Sequence, residues 1–329
     1  MSTRILEVRN LVTSFKTDRG IMKAVDGVSF HVEKGEILGL VGESGCGKSV
    51  TSQSIMRLYD EKNLVRYEGE VLLEGRNLMK LPEHEMQHIC GKEIAIVFQD
   101  SLSSLNPVFT CGDQIMEALI IHQGMSKKEA KERAIEMLRL VGIPSPEKRF
   151  NQYPHELSGG MRQRVMIACA LSCQPKLLIA DEPTTALDVT IQAQIMELIV
   201  ELNRKLQMGV ILITHDLAVV AETCNRVAVM YLGQIVEEAD VNTIFDNPRH
   251  PYTMGLLQSI PRLEGERARR LHVIQGTVPL LNQIPKGCRF RPRCPYAADI
   301  CQSEMPELRQ ISDTQFVRCW HVEHIHNGR

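Results

Sequence analysis

Eight consecutive residues, Gly42-Glu43-Ser44-Gly45-Cys46-Gly47-Lys48-Ser49, set three glycines, a lysine and a hydroxyl at the spacing of a phosphate-binding loop. Glycine lets backbone approach a phosphate closely, and successive N–H groups at a helix N-terminus then face the anion. Lys48 is placed to reach β- and γ-phosphates, and the Ser49 hydroxyl to bind Mg²⁺. Two carboxylates, Asp181 and Glu182, close the apolar run Leu177-Leu178-Ile179-Ala180. Asp181 suits Mg²⁺, directly or through water, and Glu182 can take a proton from an attacking water. Alternation along a strand turns neighbouring side chains to opposite faces, so the two need not share one role.

Three further positions carry polar groups where such chemistry needs them, each with a plainer reading beside it. Gln99 ends the apolar run Ile94 to Phe98; its amide oxygen can ligate Mg²⁺ or position a water, or it simply closes a strand. His215 follows Val210 to Thr214 and can hydrogen-bond a γ-phosphate, or cap a helix or pack. Ser158, Gly159 and Gly160 open a helix that includes Gln163, which makes a second anion-binding surface or an ordinary capped helix. Phe15, ahead of the turn Thr17-Asp18-Arg19-Gly20, can stack on adenine or pack in a core.

Four of the ten cysteines, Cys288, Cys294, Cys301 and Cys319, crowd near the end with five, six and seventeen residues between them. Four thiolates can hold an iron–sulfur cluster or a tetrahedral zinc, and the absence of paired C-x₂-C spacing counts against zinc. Free thiols in a basic tail are the alternative. Arg289, Arg291 and Arg293 are interleaved and would offset the charge of a thiolate-bound cluster. The other cysteines (Cys46, Cys90, Cys111, Cys169, Cys173 and Cys224) are dispersed, and core packing suits most of them.

The elements that position these residues follow from patterning. Ile37 to Val41 is a buried strand before the glycine loop, and Val50 to Leu58 can continue as a helix. Short apolar runs at Ile5 to Val8 and Val25 to Val32 suggest short strands of an antiparallel sheet. Gly69 to Gly75 reads as another strand. Residues 112 to 141 are helical in character: Ile115, Leu119 and Ile120 make one stripe, and Ser126 to Glu129 makes a capping box for a second helix. Asp188 is an N-cap candidate, and Val227 to Tyr231 and Gln234 to Glu237 form a final strand pair around Gly233.

With 329 residues the chain can build one large domain or two smaller ones. Its 38 basic against 40 acidic residues give no electrostatic footprint for nucleic acid. No stretch of about 20 apolar residues exists to span a membrane, and the N-terminus lacks the apolar region of a signal peptide, so a cytosolic location is expected.

The glycine loop, Gln99, Leu157-Ser158-Gly159-Gly160-Met161-Arg162-Gln163, the Asp181-Glu182 strand and His215 stand in one order that resembles the ATP-binding cassette (ABC) ATPases over roughly residues 4 to 240. The resemblance implies an α/β cassette with an antiparallel β subdomain and a helical insertion at about 100–165. A small Cys-rich extension over 241–329 follows. It makes Gly42 to Ser49 the Walker A loop, with Val50 beside it, and Cys46 stands where serine is frequent. It makes Phe15 the adenine-stacking aromatic, Gln99 the Q-loop, Asp181 the Walker B aspartate and Glu182 the catalytic glutamate. Thr185 to Asp188 become the D-loop and His215 the switch histidine. Ser158, Gly159 and Gly160 would contact ATP bound to an opposite subunit.

Asn106-Pro107, Ile179 to Thr190, Arg249-His250-Pro251-Tyr252-Thr253 and the Gly287-Cys288 and Arg293 to Ala297 tail segments are similar to dipeptide and oligopeptide importer ATPases. That implies ATP and Mg²⁺ as ligands and adds weight to a [4Fe–4S] cluster. Implied partners are a second ATPase subunit (homologous or identical), two transmembrane permease subunits and an extracytoplasmic substrate-binding protein. The expected location is the cytoplasmic face of the inner membrane. Relatives in that group also serve nickel and glutathione uptake. A DNA-repair type ATPase is the reading from another class, but Lys48 and Ser158 lie only 110 residues apart, too close for long coiled-coil insertions.

Overall fold

A computed structural model describes residues 4–18, 20–100, 104–185, 187–260 and 273–323. They fall into two compact units. One comprises the described residues within 1–6, 32–37 and 80–213; the other comprises those within 7–31, 38–79 and 214–329.

Lying mostly in the second unit, β1 (Arg4–Thr17) and β2 (Gly20–Glu33) supply most of a four-stranded sheet with β4 (Val65–Leu73) and β5 (Arg76–Asn77), in the order β2-β1-β4-β5. Short strands were expected here, and the structure has two of fourteen residues each. Alternation continues through the polar residues: Leu11 and Thr13 on β1 and Val28, Phe30 and Val32 on β2 are buried, and a polar residue with a partner does not end a strand. Thr13, for example, donates to Ser54 Oγ at 2.8 Å.

The same unit holds β3 (Ile37–Val41), all five residues buried, running parallel to β9 (Arg226–Tyr231) with Leu38 opposite Arg226 and Val41 opposite Val229. β9 pairs antiparallel with β10 (Gln234–Asp240). The chain's last strands, β11 (Arg309–Gln310) and β12 (Phe316–Val317), then extend this sheet, β12 pairing with β10 through Glu237 opposite Val317. Val317, Cys319 and Val322 form a small core with Met254.

The first unit is built on a parallel run of β6 (Ile94–Val97), β7 (Leu177–Asp181) and β8 (Gly209–Thr214). Val97 stands opposite Ala180, and Asp181 opposite Ile213. β7 and β8 are buried along their whole length, as expected of parallel strands covered on both faces. Helices Cys111–Gln123 and Lys127–Leu140 occupy the expected helical region. The second carries both halves of the capping box, Ser126 with Glu129. Ile115 and Leu119 are buried, whereas Ile120 is 36% exposed and lies off their stripe. Helix Val189–Leu206 starts on Asp188, whose side chain accepts from Ile191 N at 3.0 Å.

Candidate functional site

The glycine loop leaves β3 and enters helix Lys48–Ile55, which has no side-chain N-cap. Its first N–H groups therefore depend on the loop or on a ligand. Gly42 has φ 151°, and a Cβ there would lie 2.2 Å from Met230 O. Only glycine brings the loop this close to β9. Lys48 is buried; its Nζ donates to Gly42 O at 2.8 Å and Glu43 O at 3.2 Å, so the ammonium sits inside the curl of the loop. Ser44 and Gly45 are exposed, Ser49 and Val50 partly so. Cys46 is buried and burial pushes its thiol up, so it packs beneath the loop as a neutral side chain. Gly233 N donates to Cys46 O at 2.7 Å and ties the loop to the β9–β10 turn.

Glu43 is the loop's one carboxylate. Arg293 binds it bidentately, Nη1 to Oε2 at 2.5 Å and Nη2 to Oε1 at 2.9 Å, and the Glu43 amide donates to the Tyr252 hydroxyl at 2.8 Å. Neither partner belongs to the set read from the sequence. An acidic residue within an anion loop signals that a cation must stand nearby; nothing in the sequence says which.

Phe15, on β1, is half-buried and meets Tyr59 edge-on, ring centroids 5.0 Å apart. It therefore offers part of an aromatic surface, with a second ring beside it.

In the other unit, Gln99 and Glu182 are 83 residues apart in sequence and in contact. Gln99 Nε2 donates to Glu182 Oε2 at 2.8 Å, and Thr185 Oγ1 donates to the same oxygen at 3.0 Å. The register explains the meeting: β6 and β7 run parallel, so residues just past Val97 and Asp181 emerge at one sheet edge. Asp181 is 3% exposed at the end of β7. Glu182 has φ 47°, a left-handed conformation that a glutamate holds only under constraint, and its amide donates to Ile213 O at 2.9 Å. The amide nitrogen of Gln99 is engaged, leaving its oxygen as the acceptor that can face a cation. Within the D-loop expectation, Ala186 lies outside the described residues.

Ser158 caps helix Gly159–Leu171, accepting from Met161 N at 3.4 Å, with Gly159 and Gly160 as its first two residues. A Cβ on Gly160 would lie 2.7 Å from Ile191 Cγ2, while Gly159 has only ordinary contacts. Gln163 is 2% exposed, so it belongs to the interior of its unit rather than to the surface that Ser158 presents. His215 follows β8 and is exposed.

The iron–sulfur expectation is corrected. Among the described residues, which include all four tail cysteines, no group of three or more His, Cys, Asp or Glu can hold a metal ion. Burial pushes the Cys294 thiol up to about 12, that of Cys319 up to about 11, and that of Cys288 up as well. The segment is closed by backbone instead: Cys288 N donates to Cys301 O at 2.8 Å and Cys294 N to Arg291 O at 3.2 Å. Two of the three arginines assigned to offset a cluster's charge have other partners, Arg289 pairing with Asp26 and Arg293 with Glu43.

Residues 25–185 match the ABC transporter family profile, and residues 236–301 match the oligopeptide/dipeptide transporter C-terminal region. The chain is 56% identical to the oligopeptide transport ATP-binding protein OppD of Bacillus subtilis, over 97% of this chain and 89% of that protein. It is 49% identical to the dipeptide transport ATP-binding protein DppD of Escherichia coli, over 96% of both. Among solved structures it is similar to the dimeric, ADP- and phosphate-bound cassette MJ0796. The TM-score is 0.64 at 30% identity, covering 72% of this chain and 98% of that one.

Proposed function

The chain belongs to the ABC transporter family, among the oligopeptide and dipeptide transport ATP-binding proteins, and from that premise we propose that it energises import of di- or oligopeptides by hydrolysing ATP. The observation that carries the hydrolytic part is the Glu182 carboxylate, held by Gln99 and Thr185 at the end of a buried strand. The peptide part rests on the match of residues 236–301 and on identity that runs through that region.

In this reading Gly42 to Ser49 wrap the triphosphate, and Lys48 exchanges the carbonyls of Gly42 and Glu43 for phosphate oxygens. Phe15 stacks on adenine. Ser49, Gln99 and Asp181 would hold Mg²⁺: a hydroxyl, an amide oxygen and a carboxylate are the oxygen donors a hard cation prefers. Bound there, the ion supplies positive charge to the β- and γ-phosphates. Glu182 accepts a proton from the water that attacks the γ-phosphorus, and the bond from that phosphorus to the bridging oxygen of ADP breaks. His215 hydrogen-bonds the γ-phosphate. Ser158, Gly159 and Gly160 face the ATP of a second cassette, for which the dimeric MJ0796 structure is the precedent. Gln163, buried here, contributes by supporting that helix start.

Residues 1–240 form the cassette in this proposal and 241–329 its extension. No helix among the described residues is long and apolar enough to cross a membrane. In this reading, which rests on the family, the subunit docks to permease subunits on the cytoplasmic face, with a separate binding protein delivering substrate. The test is reconstitution with its permeases and binding protein in liposomes. ATP-driven uptake of a labelled peptide is expected; uptake of nickel or glutathione instead would overturn the substrate, and absence of ATP turnover would overturn the whole reading.

A further inference from the structure

A carboxylate in a loop that receives a triphosphate is an electrostatic liability, since Glu43 adds negative charge where more must arrive. The structure neutralises it from 250 residues away. Arg293 closes a bidentate pair on Glu43, and the arginine side chain is only 3% exposed. The guanidinium is itself held by Gln275 O at 3.0 Å and Ile274 O at 3.3 Å, and lies 5.9 Å from the Tyr231 ring centroid and 6.0 Å from that of Phe290. Tyr252 packs against both rings, 4.7 and 5.4 Å away, while its hydroxyl accepts the Glu43 amide. Both polar handles of one loop residue are thus held by residues beyond β10.

We propose that Arg293 and Tyr252 are positioning residues for nucleotide binding: the segment after β10 neutralises Glu43 and fixes the geometry of the phosphate loop. This rests on the reading of Gly42–Ser49 as the nucleotide site. A planar guanidinium suits the task because it meets both carboxylate oxygens at once, which an ammonium cannot do. Burial of the arginine keeps the pair from being screened as surface pairs are. It also makes loss of one partner costly, because the other is left charged and alone.

The experiment is a double-substitution cycle read as the dissociation constant of a fluorescent ATP analogue on the full-length subunit, with melting temperature measured alongside. Arg293→Met is expected to weaken nucleotide binding roughly 10- to 100-fold. Arg293→Lys should restore part of that. In a Glu43→Gln background the same Arg293→Met change should cost under about threefold, because the charge it answered is gone. Tyr252→Phe should speed amide exchange at residues 43–47. Equal loss in both backgrounds would reduce Arg293 to a folding role and overturn the proposal, as would unchanged affinity in Arg293→Met. If that variant does not fold, the Arg293→Lys comparison in the two backgrounds decides by the same rule. Failure of the unsubstituted chain to bind the analogue would instead strike at the nucleotide reading beneath it.

Discussion

Replacing Gly42 by alanine tests how the phosphate loop is held. The new Cβ would lie 2.2 Å from Met230 O on β9, a contact that must open to at least 3.0 Å, a displacement of about 0.8 Å in loop or strand. Neither side yields cheaply, because Met230 is fully buried and paired in register with Ile235. The φ of 151° adds a backbone cost of about 1–3 kcal/mol for any residue with a side chain. Gly42 O also accepts the Lys48 ammonium, so moving the loop moves the lysine. Misplacement of this size is worth about 10²-fold in productive binding, or roughly 2.7 kcal/mol. Gly45→Ala is the control: its φ is 79°, but nothing lies within 4 Å, so only backbone strain of about 1–2 kcal/mol applies. Titration with an ATP analogue and single-turnover hydrolysis should rank Gly42→Ala at least tenfold below Gly45→Ala. Equal effects would refute the argument that contact with β9, rather than backbone freedom, demands glycine at position 42.

Glu182→Gln should retain ATP binding and slow hydrolysis by about 10²–10⁴-fold, measured in the assembled transporter; near-normal turnover would remove Glu182 as the base. Gly159→Asp should abolish hydrolysis while the subunit's own ATP affinity survives; a loss confined to that affinity would place the glycine at its own chain's nucleotide instead. His250 is buried near Arg318, and burial above all pulls it down to about 3, well below its ordinary 6.5. The unfolded chain therefore takes up this proton first, so its stability contribution is complete above about pH 6.5 and is lost as pH falls towards 3. Between pH 7 and 5 the native protein should lose about 2 kcal/mol more than His250→Asn, whose amide can still cap Tyr252 N, and parallel denaturant titrations at both pH values would show it.

The nucleotide motifs were legible in the sequence because their chemistry is local. Strand, glycine turn and helix follow one another within about twenty residues, and the buried runs before Gln99, Asp181 and His215 announce parallel strands by their composition. The Ser126–Glu129 capping box and the Asp188 cap were equally readable, since each is a contact over three residues. Residues brought together across long separations were not. The pairing of Gln99 with Glu182 depends on the register of β6 against β7, and a one-residue slip would have turned each side chain away. Composition misled at the tail: four cysteines among arginines satisfy the requirements of a metal cluster on paper. In the folded chain Arg289 and Arg293 answer Asp26 and Glu43 instead, and among the described residues no group of three or more His, Cys, Asp or Glu side chains can hold a metal ion. Sequence patterning fixes which groups are available and how strands and helices present them. Which charge neutralises which is settled only by tertiary packing, because Coulomb energy depends on distance and burial, and neither is written along the chain.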